Sequence, residues 1–173
     1  MDRQHVSTGT EWESAVGYSR AVRVGPHVHV AGTTATDAAG ELVGRGDPGE
    51  QTRQALENVA RALDEAGASI EDVVRTRLYV TDVEDWEAIG EAHAAVFGAV
   101  RPATSMVEVA RLIDSAMCVE IEATAIVADA ATDGARDDDT PDDGTADGST
   151  PDGSTVDCST IDGSTAAVDA GTE

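Results

Sequence analysis

Residues that could take part in chemistry occur at every second position in "RPATSMVEV", residues 101–109. Thr104, Met106 and Glu108 fall on one side of the alternation, and Ser105 falls on the other with two valines. A period of two is typical of a strand with two different faces. The pattern therefore predicts a strand with Thr104 near its start.

A second candidate is a histidine pair in "AVRVGPHVHVAG", residues 21–32. His27 and His29 would share one face of a short strand, but the nearby sequence supplies no third metal ligand. The pair therefore indicates a solvent-facing or interface position, and we predict no metal site. Cys118 and Cys158 are forty residues apart, a spacing that fits neither a zinc site nor a disulfide framework.

Two segments have the periodicity of helices. Asp47 can cap the first helix, Pro48 suits its first position, Glu50 can complete a capping box, and Gly67 can end it. The second helix is predicted over residues 83–97. Its apolar stripe comprises Trp86, Ile89, His93, Val96 and Phe97. A histidine on such a stripe indicates a hydrogen-bonded interface residue rather than a catalyst.

Strands are predicted on both sides of these helices. Two short strands flank a turn at Gly25, and a further short strand follows a turn in residues 36–42. The clearest strand lies in residues 72–82, with Val74, Thr76, Leu78 and Val80 on one face and Arg75, Arg77 and Tyr79 on the other. Two last strands are predicted over residues 103–111 and 117–127. This order predicts an α+β fold in which two helices cover one face of a mixed sheet and the other face needs a partner.

The charge is extreme, with 34 acidic side chains against 11 basic ones, all of them arginine. The repulsion within such a chain weakens where salt shortens the Debye length, which is about 3 Å at 1 M. The composition therefore favours a cytosol of very high salt, with a chance acidic protein as the alternative. It argues against nucleic acid and anionic membranes as partners. No apolar run approaches the roughly 20 residues that span a bilayer, so we expect a cytoplasmic protein.

The composition changes after Val127. Residues 128–173 are rich in Asp, Gly, Ser and Thr, and "DGST" recurs in them with a period of five. Few of these residues have apolar surface to bury, and their carboxylates repel one another. We predict a domain over residues 1–127 followed by a disordered acidic tail.

The motifs resemble a known family. "RPATSMVEVARL" followed by "VEIEATAIV" is similar to the closing signature of the RidA/YjgF family, the reactive intermediate deaminases. "VGYSRAVRVGPHVHVAG" is similar to the family's N-terminal segment and first hairpin, and the resemblance spans roughly residues 14–127. It implies a chorismate-mutase-like fold, a homotrimer with a central barrel-like core, and a small-molecule cleft at each subunit interface. It also implies hydrolysis of enamines and imines to 2-keto acids and ammonia, without a cofactor.

The resemblance suggests roles for individual residues. Tyr18 matches a tyrosine that lines the cleft, although packing across the interface is an equal alternative. Glu120 matches the glutamate thought to help place a water, although a strand glutamate can also be merely solvated. Met106 stands where the family often has a cysteine, and its side chain offers no acid–base chemistry.

Thr104 departs from the family signature, which has an arginine there to clamp the substrate carboxylate. Such a charge-assisted contact contributes about 1.5–3 kcal/mol, and a threonine cannot replace it. Arg101 is the alternative cation, but an odd offset along a strand predicts the opposite face unless Pro102 bends the chain. Ala31 and Gly90 also replace residues common in the family, a serine and an asparagine.

Three functions remain open from the sequence. The first is a hydrolase of enamines or imines whose substrate needs no carboxylate clamp, or one that uses Arg101. The second is a trimeric small-molecule binding protein without catalysis. The third is the ribonuclease activity reported for some relatives, which the acidic surface disfavours.

Overall fold

The computed structural model describes residues 2–128. The acidic tail predicted over residues 128–173 lies, beyond its first residue, outside the described residues. The elements are β1 (Arg3–Val6), α1 (Glu11–Val16), β2 (Ala21–Val24), β3 (His27–Thr33), α2 (Pro48–Glu65), β4 (Val73–Val80), α3 (Trp86–Phe97), β5 (Ala103–Glu108) and β6 (Val119–Ile126). Short 3₁₀ turns at Ile70–Asp72 and Val83–Asp85 precede β4 and α3.

The strands form one mixed sheet in the order β1-β2-β3-β6-β4-β5. β4 and β5 are parallel, with α3 as the crossover between them, and the other neighbours are antiparallel. This confirms the α+β prediction of a mixed sheet with two main helices. The sequence predicted neither β1 nor α1. The short strand expected after residues 36–42 is a single bridge between Thr36 and Leu42.

The core is aliphatic and lies between α2, α3 and one face of the sheet. It includes Leu56, Val59, Leu63, Leu78, Ile89, Phe97, Val119 and Ile121, each at most 2% exposed. Every second residue of β6 is buried on this side, whereas Glu120, Glu122 and Thr124 between them are half-buried on the other. The sheet therefore has a packed face and an open polar face within one chain.

Local signals at the ends of α2 act largely as the sequence predicts. The Glu50 backbone N–H donates to Asp47 Oδ1 at 2.8 Å, and Gly67 adopts a left-handed φ of +71° just after the helix. The second half of the capping box is replaced, because the Asp47 N–H donates to the Gly44 carbonyl at 2.9 Å.

Two predictions about buried faces are wrong. Val74 is 43% exposed because the register of β4 against β6 shifts between Val73 and Arg75, which places Val73 in the core instead. Trp86 is 57% exposed because the buried side of α3 begins one turn later, at Ile89.

The open face carries one ion pair. Arg77 Nη1 lies 3.1 Å from Glu122 Oε2, and the two side chains are 45% and 35% exposed. An ion pair this accessible to solvent contributes at most about 1 kcal/mol. We therefore assign it to the organisation of the open face rather than to the stability of the fold.

Candidate functional site

Tyr18 is positioned by the end of α1. Gly17 has a φ of +82° and ends the helix, and its N–H and that of Tyr18 both donate to the Glu13 carbonyl, at 2.9 and 3.1 Å. This turn directs the chain into β2. Tyr18 therefore lies just before the start of β2, half-buried next to the open face.

Arg20 joins Tyr18 to β3. Its Nη2 donates to the Tyr18 hydroxyl at 3.2 Å, and its Nη1 donates to the Gly32 carbonyl at 2.7 Å and to Thr33 Oγ1 at 3.0 Å. The Arg20 guanidinium carbon is also 5.5 Å from the centre of the Tyr18 ring. Sequence reasoning missed Arg20, whose position two residues after Tyr18 was its only available signal.

Glu120 lies against the backbone of Gly32. The register of β3 against β6 shifts between Val30 and Thr33, so the chain bulges where Glu120 passes. A Cβ on Gly32 would overlap the Glu120 carboxylate oxygen. A side chain at position 32 would therefore displace the Glu120 carboxylate from this position.

The electrostatics of Glu120 favour its protonated form more than usual. Burial raises the pKa of the Glu120 carboxyl, the Glu122 charge raises it further, and Arg20 partly opposes both. A half-buried carboxyl with a raised pKa can both take up and release a proton closer to neutral pH.

A recess of about 440 Å³ opens on the same side of the sheet. Its lining includes Tyr18, His29, Ala31, Arg77, Glu122 and Thr124. Tyr18 and Ala31, both singled out from the sequence, therefore line one space, with the charged groups of the open face beside it.

Thr104 and Met106 lie on the opposite side of the sheet. In the parallel register, Thr76 is beside Thr104 and Leu78 is beside Met106. Because Thr76 and Leu78 point into the packed face, their two neighbours point the same way. Glu120 is opposite Tyr79 and belongs to the open face. Within one chain the sheet therefore separates Thr104 and Met106 from Tyr18 and Glu120.

Arg101 lies before β5, so the strand-offset argument does not apply to its side chain. It has a left-handed φ of +55°, and its N–H donates to the Phe97 carbonyl at 2.8 Å just after α3. The end of the helix, rather than strand alternation, therefore determines its direction.

Thr104 instead belongs to a chain of uncharged groups. Its Oγ1 is 2.9 Å from Thr76 Oγ1, which is 3.0 Å from His93 Nε2 on α3. Burial lowers the pKa of His93, and its ring packs 4.7 Å from that of Phe97. His93 is hydrogen-bonded, as its place on the helix stripe predicted.

Residues 2–128 contain no cluster of three or more His, Cys, Asp or Glu side chains arranged to hold a metal ion. None of the helices in this part of the chain is long and apolar enough to cross a membrane.

Comparison with known proteins identifies the family to which this fold belongs. Residues 8–127 match the family described as Endoribonuclease L-PSP. The solved structure of Rv2704 from Mycobacterium tuberculosis, described as a member of the YjgF/YER057c/UK114 family, is 55% identical with a TM-score of 0.67. That match covers 73% of this chain and 100% of Rv2704.

Two curated relatives extend the comparison. Uncharacterized protein SCO2049 of Streptomyces coelicolor is 42% identical over 122 residues, which cover 70% of this chain and 90% of the relative. A 2-iminobutanoate/2-iminopropanoate deaminase of mouse is 34% identical over 126 residues, which cover 72% and 91%. The chain therefore belongs to the RidA/YjgF family, as its motifs predicted.

Proposed function

We propose that this protein hydrolyses small reactive enamines or imines in a cleft between subunits of a homotrimer. Its family membership and its similarity to a mouse 2-iminobutanoate/2-iminopropanoate deaminase support the reaction class. The cleft uses Glu120 and Tyr18, with Thr104 and Met106 facing the ligand and Arg101 as an alternative cation. The proposed reaction needs no cofactor, because an imine carbon is already electrophilic.

The observation that carries this proposal is the Glu120 carboxyl held over Gly32 with a raised pKa. As a carboxylate, Glu120 takes a proton from a water while the water oxygen bonds to the imine carbon. The resulting acid gives this proton to the nitrogen, which leaves a neutral carbinolamine. Glu120 then takes the proton of the carbinolamine hydroxyl and passes it to the nitrogen, so that the carbon–nitrogen bond breaks as the carbonyl forms. One imine and one water thus become one carbonyl compound and one ammonia, and Glu120 returns to its starting state.

The two faces of the sheet support the part that a second copy of the chain has in this proposal. Thr104 and Met106 lie on the packed side of edge strand β5, whereas Tyr18 and Glu120 lie on the open side. These residues can line one cleft when one pair comes from a neighbouring subunit.

The proposal includes a substrate specificity that differs from that of relatives with an arginine clamp, and this part rests on Thr104. A site with threonine there lacks the forked guanidinium that would hold a carboxylate. The same change favours an alternative function, a non-catalytic trimeric protein that binds a small molecule, since Met106 also supplies no acid–base group.

Ammonia release from freshly generated 2-iminobutanoate and from its uncharged amide tests this proposal. We expect Glu120→Gln to lower the rate on the better substrate about a hundredfold or more, because it removes the proton carrier. We expect Thr104→Arg to raise the wild type's slow rate on 2-iminobutanoate about ten- to a hundredfold.

Arg101→Ala is the matched control for the clamp. If the wild type hydrolyses 2-iminobutanoate fast and Arg101→Ala abolishes this activity, Arg101 is the carboxylate clamp. That outcome would contradict the specificity proposed for Thr104. No turnover of either imine by the wild type and Thr104→Arg would favour the binding protein.

A further inference from the structure

The hydrogen-bonded chain from Thr104 to His93 links three elements. Thr104 lies on edge strand β5, and Thr76 lies beside it on β4 with no exposed surface. The His93 side chain on α3 is hydrogen-bonded to Thr76. Thr104 itself is exposed, so one end of the chain faces outward and the rest runs into the protein. Two strand hydroxyls in register and a helix imidazole thus form one continuous polar path through the packed face.

The directions of these hydrogen bonds leave the outer hydroxyl adaptable. Thr104 Oγ1 also lies 3.1 Å from the Pro102 carbonyl and can donate to it. Thr104 then accepts from Thr76, which accepts from the Nε2–H tautomer of His93. In the other tautomer the two bonds of the chain reverse, so that Thr104 donates to Thr76 and Thr76 donates to His93, and Thr104 no longer donates to the Pro102 carbonyl. The outer oxygen can therefore offer a ligand its proton, in place of the Pro102 carbonyl, or a lone pair.

Each member of this chain is uncharged. The threonine hydroxyls are neutral, and burial lowers the pKa of His93 below its ordinary value, which favours the neutral imidazole at pH 7. A ligand carboxylate brought to Thr104 would lose hydration without gaining a cation from the chain. An amide or carbonyl costs less to desolvate and is satisfied by one hydroxyl.

We propose that Thr104 is a specificity-determining residue that takes an uncharged hydrogen-bonding group of the ligand, an amide or a carbonyl. Thr76 and His93 are positioning residues that orient the Thr104 hydroxyl. This inference rests on the proposed function for the location of the cleft, but it concerns binding preference and not turnover.

Pyruvamide and pyruvate form a matched pair of probes, because they share a keto group and differ in an amide against a carboxylate. Calorimetric titration of the full chain should show pyruvamide binding at least about tenfold tighter. Thr104→Val should remove most of that preference, and Thr104→Arg should reverse it. Tighter binding of pyruvate, an unchanged preference in Thr104→Val, or binding of neither probe would overturn the proposal.

The positioning role has its own readout. Thr76→Ser keeps the buried hydroxyl and should keep the pyruvamide preference, whereas Thr76→Val has a similar shape without the hydroxyl and should lose it. In protein with ¹⁵N-labelled histidine, pyruvamide should move the ring nitrogen signals of His93, one of four histidines. Equal preference in the two Thr76 variants, or an unmoved His93 signal, would contradict the role of the chain.

The two proposals fail separately. A protein that prefers pyruvamide but releases no ammonia from any imine would support this inference and contradict the hydrolase. A protein that releases ammonia from an imine but prefers pyruvate would support the hydrolase and contradict this inference.

Discussion

Gly32 and Glu120 depend on each other. The glutamate side chain occupies the space that a Cβ at position 32 would take, and the bulge of β3 opens that space. Arg20 binds the carbonyl of the same glycine and holds the Tyr18 hydroxyl with its other nitrogen. The side chains of Glu120, Arg20 and Tyr18 are thus organised around Gly32, which has no side chain of its own.

The charge on Glu122 should tune Glu120. Because the Glu122 charge contributes to the raised pKa of Glu120, Glu122→Gln should lower that pKa. Activity that needs the Glu120 carboxylate rises with pH through this pKa, so the acidic limb of the pH–rate profile should move to lower pH. Steady-state rates of imine hydrolysis across pH 4–8 would measure the shift.

The raised pKa of Glu120 should make activity rise with pH but should make the free energy of unfolding fall with pH. A folded-state pKa above the unfolded value means that stability falls as pH rises between the two values. Glu120→Gln should therefore be more stable than the wild type above this range and lose that advantage below it. For activity, an acidic limb of the pH–rate profile that does not move in Glu122→Gln would show that Glu120 does not set that limb.

At the scale of elements, the segment carrying Tyr18 is attached through Glu13 of α1. This buried carboxylate accepts hydrogen bonds from the Thr8 N–H at 3.0 Å, the Thr8 hydroxyl at 2.8 Å and the Ser7 hydroxyl. Burial raises the pKa of Glu13, but the hydrogen bonds from Ser7 and Thr8, with the charge of Arg20, lower it below the ordinary value overall. The short helix α1 is thus held to the end of β1 by one charged group.

Glu13→Gln should therefore lower the free energy of unfolding at pH 7, by about 1.5–3 kcal/mol, the usual contribution of a hydrogen bond to a charged group. A folded-state pKa below the unfolded value contributes stability that is present above the unfolded value and lost as pH falls through the folded value. The gap between variant and wild type should therefore narrow in acid. Urea unfolding at pH 7 and pH 3 would measure it.

Glu11→Gln is the matched control, because Glu11 lies in the same helix and is exposed. We expect it to change the free energy of unfolding by less than about 0.5 kcal/mol. Equal effects of the two substitutions would mean that the Glu13 hydrogen bonds do not hold the segment.

At the scale of the whole molecule, net charge opposes assembly. Residues 1–127 contain 21 acidic and ten basic side chains, a net charge of −11, and three copies would bring these charges together. The proposed trimer should weaken as salt is removed. Sedimentation of the full chain at about 1 M and about 0.01 M salt, where the Debye length changes from about 3 Å to about 30 Å, would measure this.

A chain ending at Val127 separates the two sources of repulsion. Loss of the trimer at low salt in both chains would assign the effect to the domain, and loss in the full chain alone would assign it to residues 128–173. An unchanged trimer in both at low salt would show that hydrophobic burial dominates and that the high-salt interpretation is unnecessary.

The sequence by itself determined the family and most of the elements, although not β1 or α1. The cap at Asp47, the end at Gly67 and the period-two pattern of β6 depend on residues within a few positions of one another, so each can be read without the rest of the chain. The family signature likewise lies in short contiguous segments. The same local patterns were wrong at Val74, where a shift against a strand about fifty residues away changed the face.

The tertiary structure decided which residues can act together. Whether Thr104 faces Glu120 depends on the pairing of β5 with β4 and of β4 with β6, and these pairings place the two on opposite faces. Arg20 acquired its role from a carbonyl twelve residues away, and Thr104 from a histidine on a helix. Such contacts are set by long-range strand register, which a periodic pattern does not contain, because a shift of one residue reverses every face.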